Sequence, residues 1–322
     1  MSVPPLLSIS GLRVAFAGHD GWVEAVRGVD LEIRAGEVVA VVGESGCGKT
    51  LTLSAVLGLL PPGARATGSV RFRGEEILGA PESRLRLLRG GEIGLVFQDP
   101  MTAMNPFLRV GRQLSEVLEV HRGTSRREGQ AAALAMMRRV GIPDADRRLR
   151  SWPHEFSGGM RQRAMVAAAL MASPSLLLAD EPTTALDATI QAQVLDLLDG
   201  LRRDLGLAIV LVTHNLGVVA RLADRVAVMY AGEIVEEGAM RPLLRTPAHP
   251  YTRALLAAVP RLDAPPGSLP TALRGAPPAP TARTAGCAFS PRCERASPVC
   301  ATIPAMGMAI GRRVRCHMPV QS

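Results

Sequence analysis

Apolar and polar positions along the chain repeat with two different periods. Alternating or continuously apolar runs predict strands at 6–16, 23–33, 37–42 ("EVVAVV"), 68–73, 93–97, 175–179 ("SLLLA"), 207–213 ("LAIVLVT"), 225–230 ("RVAVMY") and 233–237. Spacings of three and four predict helices over 49–60, 112–121, 126–140, 158–171, 189–204 and 215–222. From about 107 to 170 the pattern is helical with no strand signal, so this block reads as a helical insertion in an α/β core. Seven prolines between 260 and 280 mark a linker ahead of a cysteine-bearing tail. No internal repeat is present.

Composition narrows the class. The 322 residues are 47% hydrophobic and 20% charged, which describes a folded globular protein. The N-terminus "MSVPPLLSIS" has neither a basic segment nor an apolar core of signal-peptide type. The longest apolar run, 164–179, is interrupted by Pro174. A cytosolic protein is expected, with any membrane role exerted through a partner. The net charge of +8 is uneven: residues 1–240 carry a net −1 and residues 241–322 a net +9. The main domain therefore lacks the basic excess of a nucleic-acid binder. The Arg-rich tail reads either as a solvated surface or as a neighbour of anionic lipid or of an anionic cluster.

One stretch carries explicit chemistry. "GESGCGKT", Gly43 to Thr50, fits G-x-x-x-x-G-K-[ST] between an apolar strand and a helix. Its glycines let backbone N–H groups approach phosphate oxygens, and the helix N-terminus favours negative charge. Lys49 is placed to reach the β- and γ-phosphates, and the Thr50 hydroxyl to ligate Mg²⁺. Of the 37 cationic side chains Lys49 is the single lysine. A compact ammonium suits a narrow backbone nest better than a planar guanidinium. The bland reading is a Gly-rich turn with no ligand. A second piece, "LLLADEP", puts Asp180 and Glu181 at the C-terminal end of a strand, where ligands of α/β sheets sit. Asp180 is placed to hold Mg²⁺ and Glu181 to activate water; the bland reading is an acidic strand end meeting solvent.

"EFSGGMRQR" (155–163) supplies a further anion-ready helix N-terminus at Ser157, Gly158 and Gly159. Lying between the other two pieces, it completes a resemblance to the ABC-type ATPase domain. Gln98 in "VFQDPMTAMNP" resembles the Q-loop, Asp187 in "TTALDA" the D-loop and His214 in "LVTHN" the switch histidine. Phe16 in "LRVAF" resembles the aromatic that stacks on adenine. The resemblance implies an α/β P-loop core with an antiparallel β subdomain and a helical subdomain at about 107–170, together spanning 1–240. A C-terminal extension with four cysteines follows at 241–322. It also implies ATP and Mg²⁺ as ligands. Phe16, Gly43, Glu44, Ser45, Gly46, Cys47, Gly48, Lys49, Thr50, Asp180 and Asp187 are expected at the nucleotide. Ser157, Gly158 and Gly159 are expected at the nucleotide of a partner subunit. Thr50, Gln98 and Asp180 are expected at Mg²⁺. Glu181 is expected as general base, His214 at the γ-phosphate, and Gln98 as the link to the permease.

A narrower match follows. "FSGGMRQR", "ALDATIQAQVLDLL", "THNLGVVA" and the tail's "PAHPYTRALLAAVP" (247–260) and "GCAFSPRC" (286–293) resemble the ATP-binding subunits of oligopeptide/dipeptide and nickel importers. This implies ATP-driven import of di- or oligopeptides, with nickel or another small solute as the alternative cargo. The implied partners are a second ATPase subunit (a sister or a copy of itself), two permeases and an extracytoplasmic binding protein, at the cytoplasmic face of the inner membrane. Ala103-Met104, Ala188 and Asn215 depart from the usual pattern. The catalytic set is intact, so an active ATPase is expected. A soluble ABC-type ATPase of DNA repair or translation is the other class, disfavoured by the missing basic excess and the missing coiled-coil insertion. A P-loop kinase or GTPase leaves "SGGMRQR" unexplained.

Cys287, Cys293, Cys300 and Cys316 are spaced C-x₅-C-x₆-C-x₁₅-C, loose for structural zinc. Four thiolates also suit a [4Fe–4S] cluster, which the subfamily resemblance implies in a structural role; zinc and free thiols are the alternatives. Arg292, Arg295, Arg313 and Arg315 are expected to surround such an anionic cluster.

Overall fold

A computed structural model describes residues 4–19, 21–99, 103–183, 187–259, 273–279, 281 and 285–320. Most of the Pro-rich linker, residues 100–102 after the Gln98 loop and residues 184–186 before Asp187 lie outside the described residues. In chain order the elements begin with β1 (Leu7–Gly18), β2 (Gly21–Ile33), β3 (Val38–Val42), α1 (Lys49–Val56), β4 (Ala64–Phe72), β5 (Glu75–Glu76), α2 (Glu82–Leu88) and β6 (Ile93–Val96). Helices α3 (Val110–Arg122), α4 (Arg126–Arg139), α5 (Ala145–Arg148) and α6 (Gly158–Leu170) follow. Then come β7 (Leu176–Asp180), α7 (Ala188–Leu205), β8 (Ala208–Thr213), α8 (Leu216–Leu222), β9 (Arg225–Tyr230) and β10 (Glu233–Ala239). Helices α9 (Met240–Arg245) and α10 (Pro250–Ala257) and strands β11 (Gly307–Ala309) and β12 (Arg312–Val314) complete the chain.

Two compact units are each assembled from several chain segments. The first holds Ile33–Val38 and Gly79–Leu211 with the N-terminal residues to Leu6. Here β6 and β7 pair in parallel, Ile93 opposite Leu176 and Val96 opposite Ala179. Every residue of β7 is buried, as a strand covered on both faces requires. Helices α3, α4 and α6 bury Val110, Leu114, Met137, Val140 and Ala164 together. Each large side chain so buried contributes roughly 2 kcal/mol from apolar area. Helix α4 starts on a capping box, Ser125 Oγ accepting from Glu128 N while Glu128 returns to Ser125 N. No strand occurs among the described residues between β6 and β7.

The second unit holds Leu7–Glu32, Val39–Leu78 and the chain from Val212 onward. One antiparallel sheet has the order β2-β1-β4-β5. A second sheet begins with the order β11-β12-β10-β9-β3, in which β9 and β3 are parallel and the remaining pairs antiparallel. The C-terminal tail thus adds a hairpin to the edge of the core sheet, Glu237 pairing with Arg313. Helix α1 ends at Val56, short of the expected 60, because Gly58 takes the left-handed conformation (φ 62°) and two prolines follow.

Candidate functional site

In the second unit the all-buried strand β3 runs into the loop 43–48, which opens α1 at Lys49. Two glycines are required by close approach. A Cβ on Gly43 would lie 2.1 Å from the Met229 carbonyl oxygen. One on Gly48 (φ 104°) would lie 2.9 Å from the Ala25 oxygen. Lys49 is buried, and its Nζ donates to the Gly43 carbonyl at 2.8 Å and the Glu44 carbonyl at 3.0 Å. Its ammonium is thus threaded inside the loop. Ser45, Gly46 and Thr50 are exposed, which leaves the helix start and the Thr50 hydroxyl open to a ligand. Cys47 is buried and its thiol pushed up by burial, so it acts as a small packing residue and no reactive thiolate.

Phe16 is half-buried near the end of β1, opposite Ala64 of β4. His214 is exposed directly after β8. The following Asn215 caps α8, its Oδ1 accepting from Gly217 N at 2.9 Å and from Val218 N at 3.4 Å. Capping needs only an oxygen acceptor, so the departure to Asn at this position keeps the helix start intact.

In the first unit Asp180 is buried at the end of β7 and Glu181 is half-buried beside it. Glu181 has a left-handed backbone (φ 47°), a conformation that costs a non-glycine residue about 1 kcal/mol or more. Its Oε2 accepts from Gln98 Nε2 at 3.3 Å. Buried Gln162 of α6 donates to the Pro182 carbonyl and ties the segment after Glu181 to that helix. Ser157 caps α6, its Oγ accepting from Met160 N at 3.3 Å. Gly158 is exposed and a Cβ built on it would meet nothing within 4 Å, whereas a Cβ on Gly159 would lie 2.8 Å from Ile190 Cγ2. Asp187 caps α7, accepting from Thr189 N and Ile190 N at 3.0 Å each. Gln98, Asp180 and Glu181 are therefore one group at strand ends, while Ser157 and Asp187 begin helices.

All four tail cysteines line one cavity with Phe289, Arg295 and His317. Among the described residues no group of three or more His, Cys, Asp or Glu is arranged to hold a metal ion. Burial first, then the neighbouring thiols, pushes the Cys287 and Cys316 thiols up. The arginines expected around them are mostly spoken for. Arg292 bonds Glu44, Arg313 bonds Glu237 and Arg315 lies 3.6 Å from Glu233; of the four, only Arg295 lines the cavity. Their carboxylate partners come from the phosphate loop (Glu44) and from β10 (Glu233 and Glu237).

The sequence reading missed how the tail docks. Glu236, with no exposure, accepts from Ala248 N at 2.8 Å and His249 N at 2.9 Å, and Arg312 Nη1 lies 3.4 Å away. His249 Nδ1 caps α10 by accepting from Tyr251 N, with Pro250 at the first helical position. Burial lowers the His249 pKa to about 4 and keeps the ring neutral. An acid in the middle of a strand pattern was the available signal.

Comparison with known proteins matches this geometry to a family. Residues 26–184 match the ABC transporter family, and residues 235–300 match the C-terminal region of oligopeptide/dipeptide transporters. The dimeric ATP-binding cassette MJ0796, in a post-hydrolysis state bound to ADP and Pi, matches with TM-score 0.66 and 28% identity, covering 73% of this chain and 99% of that one. The fold is thus that of an ABC ATPase cassette. The oligopeptide transport ATP-binding protein OppD of Salmonella typhimurium is 48% identical over 98% of this chain and 94% of its own length. The dipeptide transport ATP-binding protein DppD of Bacillus subtilis is 47% identical over 92% and 88%. The chain belongs to the family of oligopeptide/dipeptide ABC transporter ATP-binding proteins.

Proposed function

We propose that this chain is the ATP-binding and hydrolysing subunit that powers import of di- and oligopeptides through a membrane ABC transporter. The observation that carries this is the near full-length match to the oligopeptide and dipeptide subunits, tail included. It works with permease subunits and a substrate-binding protein, and as a peripheral subunit at the cytoplasmic face of the membrane. Among the described residues no helix is long and apolar enough to cross a membrane. ATP-dependent accumulation of a labelled tripeptide in proteoliposomes holding the assembled transporter tests the reading. Accumulation of labelled nickel alone would move the cargo, and copurification with nucleic acid or ribosomes in place of permeases would overturn it.

The residue roles follow the chemistry of each position. Exposed Gly46, with nothing near a Cβ built on it, leaves room for phosphate oxygens, and Lys49, released from the Gly43 and Glu44 carbonyls, supplies their counter-charge. Thr50, Asp180 and Gln98 offer the hard oxygen donors that Mg²⁺ takes, and the metal would neutralise charge developing on the phosphates. Glu181, held by Gln98, is the general base, and exposed His214 contacts the γ-phosphate and orients the attacking water. Phe16 stacks on the adenine ring and Asp187 adjoins the nucleotide. Ser157, Gly158 and Gly159 serve a partner subunit's nucleotide. Support comes from Gly158, whose exposed helical position has no packing reason for glycine.

The four cysteines hold a [4Fe–4S] cluster in a structural role. What supports the cluster is the donor set: all four cysteines line one cavity, and four soft thiolates are what such a cluster takes. Anaerobically purified protein is expected to contain iron, labile sulfide and absorbance near 400 nm; their absence, or stoichiometric zinc, removes the assignment.

A further inference from the structure

The second residue of the phosphate loop, besides its bonds within the loop, is gripped by the C-terminal extension. Glu44 N–H donates to the Tyr251 hydroxyl at 2.9 Å. Its carboxylate receives both arms of the Arg292 guanidinium, Nη1 at 2.7 Å and Nη2 at 3.0 Å. This pair joins residues 248 apart in sequence, and the Arg292 side chain is only 5% exposed. Arg292 is itself fixed: Nε donates to the Arg274 carbonyl at 2.8 Å, and Nη1 reaches the Tyr230 hydroxyl at 3.3 Å. The rings of Tyr230, Tyr251 and Phe289 pack with centroids 4.5 to 5.4 Å apart and wall the contact.

The charges define the problem this contact solves. A carboxylate in a loop that binds a polyphosphate repels the ligand, and partial burial lengthens the reach of that repulsion. A forked guanidinium bond neutralises the carboxylate and fixes its direction, which a lysine could not do in the same geometry. The arginine comes from the cysteine-bearing element, one residue before Cys293. The residue that grips the phosphate loop and one that lines the cysteine cavity are therefore neighbours in the chain.

We propose that Arg292 is a positioning residue for nucleotide binding: it holds Glu44 neutralised and turned from the phosphates, so that the C-terminal extension sets the affinity of the loop. This rests on reading 43–50 as the phosphate cradle. MgADP titrated into the purified full chain tests it, with the melting temperature without nucleotide measured alongside. Arg292→Ala is expected to weaken MgADP binding about tenfold, and Arg292→Lys by less. Adding Glu44→Gln to Arg292→Ala removes the exposed charge and recovers most of the loss, which a merely structural role for Arg292 would not allow. Should Arg292→Ala fail to fold, Arg292→Gln decides by the same readout: it keeps a hydrogen-bond donor of similar reach without the charge and is expected to weaken MgADP binding more than Arg292→Lys does. Unchanged affinity in Arg292→Ala or in Arg292→Gln, or no recovery in the double variant, overturns the proposal. Lys49→Ala separates the two readings: if it binds like the natural chain, the cradle itself is misassigned.

Discussion

Gln98 Nε2 donates to Glu181 Oε2 at 3.3 Å, joining residues 83 apart in sequence. The amide orients the carboxylate without adding a positive charge that would lower its basicity. With Glu181 as general base, Glu181→Gln keeps the shape and removes the proton acceptor. ATP turnover by the assembled transporter is expected to fall about 100-fold or more, the usual scale for losing a general base. ATP binding persists. Phosphate release at the natural rate from this variant would displace Glu181 from that role.

Lys49 is enclosed by the carbonyls it bonds, at 2.8 and 3.0 Å, and is only 6% exposed. A guanidinium is wider and planar and cannot take that position without opening the loop. Lys49→Arg is expected to reduce turnover by about 100-fold, as when one preorganised charge donor is lost from a site. Near-normal turnover would make the chain's single lysine an accident of composition.

The phosphate loop was legible because it is contiguous: eight residues carry both the glycines and the cation. Strands β3, β7 and β8 were legible because full burial makes them continuous apolar runs. Helices α9 and α10, of six and eight residues, are too short to show a period, and α10 owes its start to the His249 cap. Strands β11 and β12 are three residues each and exist through pairing with one another and with β10. Arg292 was misread for the same kind of reason. Its neighbours in sequence are cysteines, but its partner, Glu44, lies 248 residues away.

The docking of the tail predicts an acid sensitivity. His249 is neutral in the folded chain, with its pKa lowered to about 4 from an ordinary 6.5 by burial. Between those values the unfolded chain binds a proton that the folded chain refuses, so stability falls as pH falls from 6.5 towards 4. The loss over that window is about 3 kcal/mol. His249→Asn keeps an acceptor for Tyr251 N and removes the titration. Urea unfolding at pH 7.5 and pH 4.5 is expected to show the natural chain losing more stability than this variant. Equal losses would show that His249 does not titrate as its burial implies.

Gly158 and Gly159 are adjacent, yet the fold asks different things of them. At Gly159 a Cβ would press to 2.8 Å from Ile190 Cγ2, so packing against α7 explains that glycine. At Gly158, the first residue of α6, a Cβ meets nothing, and alanine there gains part of the roughly 1 kcal/mol it holds over glycine in a helix interior. On stability alone Gly158→Ala is therefore neutral or favourable. If Gly158 lies against a partner subunit's phosphate, the added methyl blocks that approach. The expected result is a melting temperature equal to or above that of the natural chain. ATP turnover by the assembled transporter should fall at least about tenfold, the scale of weakening a phosphate-stabilising contact. Unchanged turnover would place the partner's nucleotide elsewhere, and a lower melting temperature would mean that Gly158 serves the fold after all.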